Sequence, residues 1–130
     1  MSQREIPVVG RMVWAIAEGY IPGDSTGPEP AFTSHETACI LNTCDHSASI
    51  AMLIFFSDRD PAGPFQVSVS PRRTLHLRFN ELNDPESIPR DTDYASLLLS
   101  DVPIVVQHTR WTHDKRRTLC CRPSRSRIDQ

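Results

Sequence analysis

Eleven prolines run through this 130-residue chain from Pro7 to Pro123, and with five glycines they interrupt it at intervals too short for long helices. Proline lacks an amide hydrogen and clashes with the preceding helical turn, so a chain broken this way favours short extended segments joined by turns. A chain of this length can bury roughly two-thirds of the surface that its unfolded form exposes, which suits one core. The expectation is a single all-β domain.

Apolar patterning places the strands. Met12, Trp14 and Ile16 alternate with smaller residues and lead to a strand end near Glu18 and Gly19. Residues 22–30 (PGDSTGPEP) form a loop, and residues 32–42 a strand carrying Ser34, His35 and Glu36 early and Ile40 and Leu41 late. Residues 49–56 (SIAMLIFF) are apolar on both faces, as in a central strand covered from two sides, within a sandwich or by a partner subunit. Residues 65–69 and 75–79 alternate apolar with polar, so each has one wet face. Residues 80–93 (NELNDPESIPRDTD) read as a long acidic loop with room for at most one short helical turn. Residues 95–99 and 103–109 read as two strands hinged at Ser100 and Asp101. The count is about seven to eight strands, enough for an antiparallel β-sandwich.

Composition narrows the function classes. No apolar run approaches the roughly 18 to 20 residues that span a bilayer, and no basic segment followed by an apolar run opens the chain, so a soluble cytoplasmic protein is expected. Cys39, Cys44, Cys120 and Cys121 lack paired C-x-x-C spacing and read as reduced thiols. No pair among the five histidines has the spacing of a known zinc site, so neither metal nor cofactor is expected. A nucleophile such as Ser34 or Cys39 has no G-x-S-x-G setting, and neither a P-loop nor G-x-G-x-x-G is present. The expectation is a non-enzymatic binding module. Residues 1–113 hold 8 Lys and Arg against 14 Asp and Glu, whereas residues 114–130 hold 6 against 2. An acidic body is unfavourable for nucleic acid, and a DNA-binding regulator is the weaker alternative.

Polar groups set in segments suited to burial mark the candidate site, because an unpaired buried charge costs several kcal/mol. Residues two apart on a strand share a face. His108 and Arg110 therefore leave the sheet together, as do Trp14 and Glu18, a pairing of ring and carboxylate suited to a sugar or other polar ring. The structural alternative is a core Trp14 with Glu18 paired to Arg110 or Arg73. His35 and Glu36 are neighbours and point to opposite faces, which argues against a compact dyad. Arg73 can turn inward to hold an anion or pair with Glu18, Glu36 or Asp93. Asp91 and Asp93, followed by Tyr94, would close the long loop over the same end.

The strings WAIAEGYIP, GPEP, FTSHETACILN, FSDRDPAGPF, RRTLHLRFNELNDP and IPRDTDYASLLLSDVPIVVQHTR resemble the sensory rhodopsin transducer family from about Arg11 to Arg110. The resemblance implies a cytoplasmic β-sandwich of jelly-roll type assembling as a homotetramer. It implies either a small-molecule binding domain, for sugars among other polar ligands, or docking to a membrane-bound photosensory rhodopsin. The positions it singles out as ligand-binding are Trp14, Glu18, His35, Glu36, Arg73, Asn80, Asp93, His108 and Arg110. The chain divides into an N-terminal arm (1–10), the sandwich (11–113) and a basic tail (114–130).

The tail departs from the family, which returns after Arg110 with another apolar strand, whereas residues 116–127 (RRTLCCRPSRSR) have almost no apolar face. Codons for Thr-Leu-Cys-Cys-Arg-Pro-Ser-Arg can be chosen that read Ala-Leu-Leu-Ser-Thr-Ile-Ala two bases on, the type of strand expected. A reading-frame shift near residue 117 is therefore expected, and resequencing the gene should reveal it. An intact frame with no apolar strand in the shifted frame would sink this expectation.

Overall fold

The computed structural model describes residues 5–23, 35–113 and 118–123, with backbone alone for residues 35, 111–113 and 118–123. It is all-β apart from a 3-10 turn at Phe79–Glu81. The strands are β1 (Arg11–Ile16), β2 (His35–Asn42), β3 (Ala48–Phe56), β4 (Ala62–Val69), β5 (Arg73–Arg78), β6 (Tyr94–His113) and β7 (Thr118–Pro123). All pairings are antiparallel, in the order β4-β3-β6-β2-β5, with β1 and β7 also on β6.

β6 organises the sheet. Its first half lies between β3, with Met52 opposite Leu98, and β1, with Trp14 opposite Leu98. Its second half lies between β2, with Ala38 opposite His108, and β7, with Arg110 opposite Arg122. The two strands expected at 95–99 and 103–109 are thus one continuous strand of 20 residues. The hinge expected at Ser100 and Asp101 is real as a change of partner: pairing with β3 ends at Ser100 and pairing with β2 starts at Val105. Pro103 falls in that gap, where no ladder bond to β2 or β3 calls for its missing amide hydrogen. Asp101 Oδ1 accepts the Ser49 amide at 2.8 Å and Ser100 Oγ accepts the Val102 amide at 3.3 Å, which satisfies backbone there.

Even-numbered residues of β6 face the core in both halves: Leu98, Ile104 and Val106 are buried, and so are Tyr94, Ser96, Ser100 and His108. They meet Ala48, Ile50, Met52 and Ile54 of β3, Ala38 and Ile40 of β2, Phe65 and Phe79. Fully burying a side chain of the Ile, Leu or Phe class is worth about 1.5 to 3 kcal/mol, so this cluster is the main source of stability. β3 is covered on this face only. Among the described residues its other face is open, with Phe55 exposed opposite Ala95, and Leu99 of β6 and Val13 of β1 exposed further along the same face, where the apolar pattern predicts cover on both sides.

Trp14 ties the ends of this arrangement together. Its indole N–H donates to the carbonyls of Ile104 at 2.8 Å and Arg11 at 3.0 Å, pinning β1 where its register against β6 shifts. The basic tail contributes β7, a strand whose residues 118–123 pair with the end of β6.

Candidate functional site

Glu36, near the start of β2, is fully buried and carries three hydrogen bonds on its carboxylate. His108 Nε2 lies 2.6 Å from Oε1, Arg110 Nε donates to Oε2 at 2.7 Å, and the Tyr20 amide donates to Oε2 at 3.1 Å. The register explains the convergence: Glu36 stands opposite Arg110 and Ala38 opposite His108, so all three ionisable side chains leave the same face at one end of the sheet. A carboxylate only accepts, so His108 Nε2 carries the hydrogen toward Oε1, which leaves Nδ1 for another partner.

Arg110 extends the cluster outward, donating from Nη2 to Glu18 Oε2 at 2.6 Å, where Glu18 is more than half exposed. Burial works against the Arg110 charge, but the charge and hydrogen bond of Glu36, followed by those of Glu18, outweigh it and lift its pKa above the ordinary value. The Glu18–Arg110 pair is the one expected where Glu18 serves the structure rather than a ligand.

The segment after β1 lids the cluster. The Tyr94 amide donates to Gly19 O at 3.0 Å and the Asp91 amide to Ile21 O at 2.7 Å. Asp91 Oδ1 accepts from Gly23 N–H at 2.8 Å and from the Tyr20 hydroxyl at 3.1 Å, closing the long loop over this end as expected. A β-carbon on Gly19 would lie 2.3 Å from the Tyr94 ring, so only glycine lets the chain pass there.

Tyr94 belongs to the site and is missed by the sequence reading, which uses it only to close the loop. Its ring packs on Phe79 at 5.6 Å between centroids, and its hydroxyl is buried. Burial first, then the Glu36 charge, push its pKa far above the usual tyrosine range, so the hydroxyl stays protonated. Among the described residues three buried polar atoms lack a partner: Tyr94 hydroxyl, Ser96 Oγ and His108 Nδ1. The available signal was parity, since Tyr94, Ser96 and Leu98 share the inward face of β6.

The other candidates divide. Asn80, in the 3-10 turn, accepts the Glu36 amide on Oδ1 at 3.1 Å and so positions it. Asp93 is exposed and, among the described residues, joins the site through its backbone bridge to Tyr20. Trp14 does not offer its indole N–H to a ligand, because Ile104 O and Arg11 O hold it. Arg73 does not turn toward the acids: it stands opposite Asn42 at the far end of β2, with Nη1 donating to Arg72 O at 3.0 Å. The reason is the register of β5 against β2, which sets Arg73 beside Asn42, six positions along the strand from Glu36. His35 is paired through its backbone with Trp111, and its side chain lies outside the described residues.

A family model described as "Anabaena sensory rhodopsin transducer" matches residues 9–121. Among solved structures, the Anabaena sensory rhodopsin transducer is 57% identical, with a TM-score of 0.73 over 80% of this chain and 98% of its own. Thermotoga maritima 1070 is 33% identical, with a TM-score of 0.75 over 88% of this chain and 92% of its own. No curated protein matches. Among the described residues no helix is long and apolar enough to cross a membrane.

Replacing Glu36 by Ala should cost about 3 kcal/mol in urea unfolding, because it strands a buried imidazole and a half-buried guanidinium. Glu36→Gln, which keeps the shape, should cost less. Equal and negligible losses would show that the cluster contributes nothing to the fold.

Proposed function

The chain belongs to the Anabaena sensory rhodopsin transducer family, and we propose that within a transducer role it is a non-enzymatic binding module for a small polar ligand. The observation that carries this reading is the set of unpartnered buried polar atoms beside the Glu36 cluster. Leaving such an atom unsatisfied costs about 1 to 3 kcal/mol, which a merely structural site would avoid by using apolar side chains. Tyr94 supplies a donor, and His108 Nδ1 and Ser96 polar atoms of either sense, a set complementary to hydroxyl groups such as those of a sugar. The exposed Glu18 covers Arg110 and is the group a ligand would displace to reach them. His35, Asn80 and Asp93 flank this end, whereas Trp14 and Arg73 act elsewhere.

The second reading is docking to a membrane rhodopsin in the cytoplasm, and it is favoured by the 57% identity to the Anabaena sensory rhodopsin transducer. The two halves of the sheet around one core support a β-sandwich of jelly-roll type, and the open face supports a homotetramer. That face carries Val13, 60% exposed, opposite Leu99, which in turn lies opposite Ala51 of β3. An apolar patch of this kind marks an association surface.

A thermal-shift screen of sugars, nucleotides and metabolites tests the ligand. A compound at a hundred times its dissociation constant adds about 2.7 kcal/mol of stability, and Tyr94→Phe should weaken it at least tenfold without loss of fold. A flat screen, or equal shifts in both proteins, overturns the reading, and a pull-down with rhodopsin-containing membranes then decides the second. For the assembly, light scattering should give the mass of four chains and a smaller species for Val13→Asp; a monomeric parent protein sinks the tetramer.

A further inference from the structure

We propose that the turn joining β2 to β3 is a zinc site, with Cys44 Sγ, Asp45 Oδ1 and His46 Nδ1 as ligands and the fourth position left to water. The three atoms already converge: Asp45 Oδ1 is 2.7 Å from His46 Nδ1, and Cys44 Sγ is 3.8 Å from Nδ1 and 3.9 Å from Oδ1. Around a tetrahedral zinc, with bonds of about 2.3 Å to sulfur and 2.0 to 2.1 Å to nitrogen and oxygen, ligand atoms stand about 3.3 to 3.6 Å apart. The observed separations bracket that range. Both Asp45 and His46 are exposed, at 61% and 77% of their side chains, and can make the adjustment by rotation.

Two hydrogen bonds onto one carboxylate oxygen can link the three atoms, His46 Nδ1–H and Cys44 S–H both donating to Asp45 Oδ1 at 2.7 Å and 3.9 Å, but at 3.9 Å the thiol is only weakly held. A catalytic Cys-His-Asp relay uses the two ring nitrogens on opposite sides, so that reading fails here. One cation at the centre satisfies all three atoms. As the zinc–sulfur bond forms, the thiol proton passes to water, and the ion takes the lone pair of Nδ1.

The backbone of the turn is fixed before any ion arrives. Asn42 is fully buried; its Oδ1 accepts the Cys44 amide at 2.9 Å, and its Nδ2 donates to His46 O at 2.8 Å and to Val69 O and Ser70 O at 3.2 Å. The Arg72 amide donates to Cys44 O at 3.1 Å. Such outer bonds hold ligand-bearing residues in place and reduce the entropy lost on binding. Mixed sulfur, nitrogen and oxygen ligands select a transition metal such as zinc over calcium or magnesium, which require oxygen. Three consecutive residues show no zinc spacing in sequence, and it is the turn that makes them chelating. Asn42 lies six positions along β2 from Glu36, about 20 Å, so this site is distinct from the ligand site.

Cobalt titrated into the reduced full-length chain tests the proposal. One equivalent should give a thiolate-to-cobalt charge-transfer band with tetrahedral visible bands, both bleached by one equivalent of zinc. Cys44→Ser should abolish the charge-transfer band. His46→Ala, at an exposed position that leaves the fold intact, should weaken cobalt binding at least tenfold. An unchanged band in Cys44→Ser, unaltered affinity in His46→Ala, or loss of the band in a Cys120→Ser/Cys121→Ser double variant would each overturn it.

Discussion

The buried carboxylate of Glu36 sets the terms for the rest of the molecule. A carboxylate moved out of water loses several kcal/mol of hydration, and only donors placed with good geometry restore it. Those donors come from distant parts of the chain: His108 and Arg110 at the end of β6, and Tyr20 just after β1. Tyr20 is also bridged to Asp93, the residue before β6 begins. Both ends of β6 therefore meet at Glu36. Sixteen residues separate Tyr94 from Arg110, about 50 Å if the strand ran straight. The strand must instead curl, and the curl lies where β6 changes partners around Pro103.

Which parts of this were legible follows from what is local. Strand positions and the shared face of His108 and Arg110 rest on a period of two, which any stretch of chain displays. Glu36 stood out as a carboxylate in an apolar segment, but its partners depend on the register of β2 against β6, a non-local quantity. Arg73 lies away from the acids because the β2–β5 register sets it beside Asn42, and that register is again a non-local quantity. Pro103 and the polar Ser100-Asp101 pair suggested a break between strands, when the backbone continues and only its neighbours change. Tyr94 was overlooked because it sits at a loop boundary, where parity has barely begun. Trp14 beside Glu18 suggested a stacking platform, yet its indole N–H is taken up by the backbone of β6.

One strand thus serves two surfaces. The even-numbered side chains of β6 build the core and end in the polar cluster, while Leu97 and Leu99 between them lie on the opposite face beside Val13 and Leu53. A shift of β6 along its length would move both sets together, since the ladder allows only discrete registers.

The same curl governs when the protein can fold. Ile16 of β1 waits for Ser96, and Glu18 for Arg110, so strands made first acquire their neighbours last. At about 5 to 20 residues per second, the 80 residues between Ile16 and Ser96 take roughly 4 to 16 s to synthesise. Throughout that interval Trp14 and Ile16 have no partner strand, and pairing over such separations is slow even once it becomes possible. Until β6 has emerged only the β3–β4 and β2–β5 pairings can form, so the sheet closes around its core only once the last third of the chain has been made.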